Sequence, residues 1–186
     1  ESWTADKLQD YGGTITWVAD DNISDTGGSA DVYIIAEGYC GSNVYFVIYS
    51  NGEMTIKTAT TYALRSAAAN DMDDYASPED TPWYPYRDQI KSITVEEGVN
   101  SVGENAFVGC ENLTEVTIQD GVAEVGANAF AECTSLTEVT IEEGVSEIGD
   151  SAFAGCENLS EVTFHGNAPE FGENVFADVE VTVNYP

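Results

Sequence analysis

Residues 92–114 read SITVEEGVNSVGENAFVGCENLT, residues 115–137 read EVTIQDGVAEVGANAFAECTSLT, and residues 138–160 read EVTIEEGVSEIGDSAFAGCENLS. The three segments align without a gap at a period of 23 residues. Gly98, Gly121 and Gly144 correspond, as do Phe107, Phe130 and Phe153, then Cys110, Cys133 and Cys156, then Leu113, Leu136 and Leu159. Ile90, Ile93 and Val95 carry the same apolar spacing one period earlier. A fixed period of this length is the mark of a stacked-repeat architecture.

Each part of the repeat implies a local structure. The pattern L-x-x-V-x-I alternates apolar and polar residues and predicts a short strand with one face turned inward. The G-V-x-x-(V/I)-G segment predicts a turn and a second extended piece. The A-F-x-x-C-x-x-L segment spaces apolar residues for a helical or 3₁₀ turn. One unit cannot bury its apolar face alone, so neighbours must stack and build ladders of Phe, Leu and Val. Glu115, Glu138 and Glu161 recur at one position and should stack about 5 Å apart on the solvent side.

These repeats resemble the BspA-like leucine-rich repeats of bacterial surface and secreted proteins, through the core I-G-x-x-A-F-x-x-C-x-x-L. The resemblance runs from Gln89 to Pro186 and takes in a closing unit, Phe164 to Pro169, then Phe171, Gly172, Phe176 and a strand from Val179 to Tyr185. Upstream, Cys40 to Ile56 is similar to the small β-element that precedes such repeats, and Pro82-Trp83-Tyr84 to its junction. The resemblance implies a secreted or cell-surface bacterial protein that binds host proteins or glycans.

The first 86 residues have a different texture. Thr14 to Asp20 alternates, Asp31 to Ala36 is an apolar run, and two strand-like stretches flank Asn51-Gly52, which favours a type I′ hairpin turn. The expected fold is therefore mainly β: an antiparallel lobe over residues 1–86, then a leucine-rich-repeat solenoid over residues 87–186. Residues 58–81 read as an inserted loop, with an Ala-rich stretch from Ala59 to Ala69 and an acidic one after it. The tyrosines of the hairpin, Tyr45 and Tyr49, lie with Val47 on the face opposite Val44, Phe46 and Ile48. A second sheet built from residues 13–36 would cover that face; left open, it would be an aromatic platform.

Composition bounds the partners. The chain carries 34 acidic and 5 basic residues, a net charge of −29, and nothing after Lys91 is cationic. So negative a surface repels nucleic acids, anionic lipids and acidic polysaccharides. No apolar run is long enough for a bilayer-spanning helix. The chain begins at Glu1, which reads as a mature or excised fragment.

Catalysis finds little support. His165 is the single histidine and sits in the closing unit. The repeat thiols should point into the core and stay inert, and Cys40 would be an unpaired thiol. No zinc spacing is present. Calcium is the metal to consider, at Asp20, Asp21, Asn22 and Asp25 or at Asp71, Asp73 and Asp74, although neither cluster has an EF-hand register. No cofactor is otherwise expected.

Aromatic residues segregate: all 3 Trp and 9 of 10 Tyr precede residue 87, while 6 of 7 Phe follow it. Tyr and Trp suit half-exposed binding positions. The sequence thus points to a non-catalytic module for neutral polysaccharide, starch or a plant glycan, held near the seam of the two lobes. The expected contacts are Trp17, Tyr45, Tyr49, Tyr75, Trp83, Tyr84 and Tyr86, with Asp73 and Asp74 bonding hydroxyls. The alternative is a host or bacterial surface protein docking on the acidic repeat face.

Overall fold

A computed structural model of the chain describes residues 31–59 and 70–186. The repeat strands form as their alternation requires: β1 Ile34–Tyr39, β2 Val44–Tyr49, β3 Glu53–Thr58, β4 Ser92–Val95, β5 Ser101–Val102, β6 Glu115–Ile118, β7 Glu124–Val125, β8 Glu138–Ile141, β9 Glu147–Ile148, β10 Glu161–Phe164, β11 Glu170–Phe171 and β12 Thr182–Asn184. They lie in two sheets, an eight-stranded one ordered β1-β2-β3-β4-β6-β8-β10-β12 and a four-stranded one ordered β11-β9-β7-β5.

In the larger sheet the repeats pair parallel and in register at the 23-residue offset, Val116 with Val139 and Val139 with Val162. The inward residues Ile93, Val116, Ile118, Val139, Ile141 and Val162 are buried. The A-F-x-x-C segments form single turns closed by i→i+3 bonds, such as Cys110 N–H to the Phe107 carbonyl, rather than helices. Their remaining N–H groups bond the adjacent coil, as Phe107 N–H does to the Ala129 carbonyl. Along the core Phe107, Phe130, Phe153 and Phe176 stack with ring centroids 5.2, 5.4 and 5.7 Å apart and nearly parallel planes. Each ring buried in this way contributes about 1.5–3 kcal/mol of transfer free energy.

The antiparallel hairpin does not stand apart as a lobe. β3 pairs parallel with β4, Glu53 beside Ser92 and Ile56 beside Val95, so the hairpin continues the solenoid sheet. Val32–Pro186 is one compact unit, and the boundary expected at residue 86 falls inside it. The turn of the hairpin also differs from expectation. Gly52 has φ +94° and donates its N–H to the Tyr49 carbonyl, while Asn51 is not left-handed. That is a common turn followed by a left-handed glycine, not type I′. Gly52 is required there, because a Cβ would lie 2.7 Å from the Gln89 carbonyl oxygen.

Residues 70–75 are part of the first coil rather than a free loop. Asp71 bridges Ser101, Met72 is buried as its counterpart Val102 is, and Asp74 Oδ1 accepts the Glu104 N–H at 2.8 Å. The same bond recurs three coils on, where Asp150 Oδ1 accepts the Glu173 N–H at 2.7 Å. Glu53 and Ser92 lie side by side although 39 positions apart, against 23 in later coils, so the extra length is accommodated within this first coil. Ile34–Ala36, expected in a sheet facing the hairpin, lie instead in β1, edge to edge with β2.

Candidate functional site

In-register pairing sets the outward face of the eight-stranded sheet. Thr55, Thr94, Thr117, Thr140 and Thr163 occupy successive rungs of one ladder. Glu53, Ser92, Glu115, Glu138 and Glu161 form a second ladder beside it. The Thr and Ser rungs are half-buried and the Glu rungs exposed, so both rows meet solvent. Carboxylates about 5 Å apart repel mildly, and these are well solvated.

Tyr45 and Tyr49 of β2 lie on this same face, since Tyr45 pairs with Lys57 and Val47 with Thr55. Tyr39 pairs with Tyr45, their rings edge to face at 5.4 Å. Tyr39 is 56% exposed, Tyr45 and Tyr49 are half-buried, and Val47 between them is buried. Burial raises the Tyr45 phenol to about 12, helped by its hydrogen bond to the Glu37 carboxylate. The phenol therefore stays protonated and donates. Next to these tyrosines a shallow depression of about 350 Å³ is lined by Glu53, Thr55, Ser92, Thr94, Glu115 and Thr117.

The other expected contacts fare differently. Trp83 is 1% exposed and cannot offer a face to ligand. It stacks on Phe107 at 5.1 Å, donates Nε1–H to the Ala106 carbonyl at 2.9 Å, and so heads the Phe ladder. Tyr75 is also buried, its ring edge-on to Trp83 at 5.6 Å and its hydroxyl without a hydrogen-bond partner. Burial, then Cys40, Asp73 and Asp74, raise the Tyr75 phenol well above its ordinary value. Both are corrections, because packing against the stacked rings outweighs display.

Tyr84 and Tyr86 are half-buried on a 3₁₀ helix, Tyr84–Gln89, where the Arg87 guanidinium covers the Tyr84 ring at 4.1 Å. Asp73 and Asp74 are exposed on the first coil, and Asp74 and Asp71 already accept bonds, the latter from Asn100 Nδ2 at 3.2 Å. Trp17, Asp20–Asp25, the run from Thr14 to Asp20 and most of the Ala-rich stretch lie outside the described residues. Among the described residues, the half-buried tyrosines of the expected set divide between the sheet face, Tyr45 and Tyr49, and the 3₁₀ helix, Tyr84 and Tyr86.

The thiols are scaffold. Cys40, Cys110, Cys133 and Cys156 are free and buried. Cys133 and Cys156 donate S–H to the Phe107 and Phe130 carbonyls at 3.2 and 3.1 Å. Burial pushes Cys110 up to about 12 and Cys40 higher still, so both remain protonated. His165 is half-exposed, with Nδ1 3.7 Å from Glu142 Oε2. A depression of about 440 Å³ beside it, lined by Glu143, Asn167 and Tyr185 among others, contains none of the expected contacts.

The Thr ladder and Tyr39 were missed by sequence reasoning. The signal was present: a Thr stands two residues after each ladder Glu, on the same side of a strand.

Comparison with known proteins agrees with this architecture. The BspA type leucine rich repeat region matches residues 84–184 in 6 copies. A leucine-rich repeat protein from Eubacterium ventriosum ATCC 27560 shares 26% identity at a TM-score of 0.62, covering 83% of this chain and 40% of that one. A leucine rich cell surface protein from Faecalibacterium prausnitzii A2-165 shares the fold at 22% identity and a TM-score of 0.50, covering 86% of this chain and 44% of that one. The chain thus spans less than half the length of either. No curated protein matches it. Matched over more than half its length, the chain belongs to the BspA-type leucine-rich-repeat family.

Proposed function

We propose that this chain is a non-catalytic binding module of a bacterial cell-surface or secreted protein, and that it takes neutral polysaccharide on the outward face of the eight-stranded sheet. The observation that carries the reading is the placement of Tyr39, Tyr45 and Tyr49 on the face that also bears the Thr and Glu ladders. A pyranose ring has apolar faces that stack on tyrosine and hydroxyls that bond polar side chains. Carboxylates only accept hydrogen bonds, and sugar hydroxyls donate them, so the Glu ladder suits a neutral glycan while it repels an acidic one.

The typically non-catalytic nature of the repeat family, together with the buried thiols, supports a binding role over an enzymatic one. Electrophoresis in gels containing amylopectin, xylan or β-glucan tests the reading. Retardation on at least one of them, weakened in a Tyr45→Ala, Tyr49→Ala variant, is the expected result. Unretarded migration on all three would sink it.

The solvated Glu ladder supports a second reading, a basic protein surface docked on the same face. Such binding would fall steeply between low salt and physiological salt, whereas binding of a neutral glycan would barely respond.

A further inference from the structure

We infer that the outward sheet face selects an extended, β-1,4-linked glycan lying across the strands with one sugar per coil; the inference rests on the polysaccharide reading and narrows it. The first ground is spacing. Neighbouring strands lie about 4.8 Å apart, so the Thr and Glu rows repeat at that interval perpendicular to the strands. A β-1,4-linked pyranose ribbon advances by nearly the same length per sugar. An extended peptide lying in that direction would present side chains at a different interval and fall out of step within a few rungs.

The second ground is continuity. From β3 to β10 the strands pair without a register shift, so the Thr and Glu rows run unbroken along the outer face. An unbroken row receives an extended ribbon. An α-1,4-linked chain coils, and its successive sugars would turn away from the surface.

The third ground is the chemistry of the rungs. Each coil presents a hydroxyl beside an acceptor: Thr94 with Ser92, Thr117 with Glu115, Thr140 with Glu138 and Thr163 with Glu161. The carboxylates accept sugar hydroxyls in charge-assisted bonds, and the threonines give or take a second. At one end stand Tyr45 and Tyr49, placed to stack the terminal ring. Far along the row Asn184 Nδ2 donates to Glu161 Oε1 at 2.7 Å, so that rung is already satisfied within the protein.

Calorimetric titration with cellobiose through cellohexaose, and with maltohexaose, reads the inference directly. Affinity should climb with each added sugar up to about four, the number of Thr rungs other than the one Asn184 occupies, and cellohexaose should bind at least about tenfold tighter than maltohexaose. A Thr117→Val, Thr140→Val variant keeps strand-forming residues at both sites and should lose about tenfold in cellohexaose affinity while its melting temperature holds. Preference for maltohexaose would overturn this inference and leave the polysaccharide reading standing. Absence of binding to every glycan would overturn both. Cellohexaose binding that the double variant does not weaken, or that gains nothing beyond two sugars, would remove the one-sugar-per-coil arrangement.

Discussion

Ser151 stands at φ +55° where its counterparts in the neighbouring coils are asparagines, Asn105 and Asn128 at +54° and Asn174 at +57°. The left-handed region costs a residue with a Cβ about 1–2 kcal/mol, least for Asn, whose side chain can bond locally. Ser151→Asn should therefore stabilise the protein by up to about 1 kcal/mol in urea denaturation, and a lower midpoint would show that the repeat position is not restrained as described. Glu124 is a second residue with a defined cost. Its carboxyl is held above its ordinary value, first by burial, then by Glu147, Asp74, Glu104 and Asp71. A carboxyl raised in the folded state favours folding when protonated, and that contribution is lost as pH rises through the folded value. Glu124→Gln should accordingly raise the melting temperature at pH 7, with the gap narrowing towards pH 5. An equal gap at both would assign the effect to packing instead. The fixed positions of such residues also explain what the sequence displayed openly: a 23-residue spacing with one residue type per rung gave the strands, the Phe rows and the Glu ladder directly, because each rung sees the same neighbours.

At the scale of elements, the coil that precedes the repeats was the hard part to read. Its pieces are β3, the segment 70–75, Trp83 and Ile90, which take the places of β4, residues 100–105, Phe107 and Leu113. The insertion breaks the period. Asp71, Asp73 and Asp74 surround Met72, so the segment looks like an acidic loop although Met72 is the inward residue of an extended piece. Trp83 stands 24 residues before Phe107 rather than 23, and a Trp near prolines invites a binding interpretation. Its burial has a measurable consequence. Trp83→Ala should cost about 3–5 kcal/mol by removing the first ring of the ladder. Trp83→Phe should cost about 1 kcal/mol, chiefly the hydrogen bond to the Ala106 carbonyl. Equal losses from the two would mean that stacking on Phe107 contributes little. Gly149 marks the same close stacking from the backbone side, since a Cβ there would lie 2.6 Å from the Ala127 nitrogen. Gly149→Ala should therefore lower the melting temperature by several degrees, which thermal unfolding would check.

For the whole described molecule, the consequence of one continuous sheet is that hairpin and repeats share a single outer face. The hairpin supplies the tyrosines and the repeats supply the hydroxyl and carboxylate rows, so neither part alone carries the proposed site. Of the tyrosines in that proposed site the sequence singled out Tyr45 and Tyr49 but not Tyr39, and it put the ligand in a seam between lobes, since nothing in a linear reading shows that β3 and β4 pair in parallel. Backbone amide shifts on titration with cellohexaose test the central claim most directly. The account predicts that they cluster in the hairpin around Tyr45–Tyr49 and in strands β4, β6 and β8 of the larger sheet. Shifts confined to the smaller sheet and residues 71–75, or to the 3₁₀ helix Tyr84–Gln89, would contradict it.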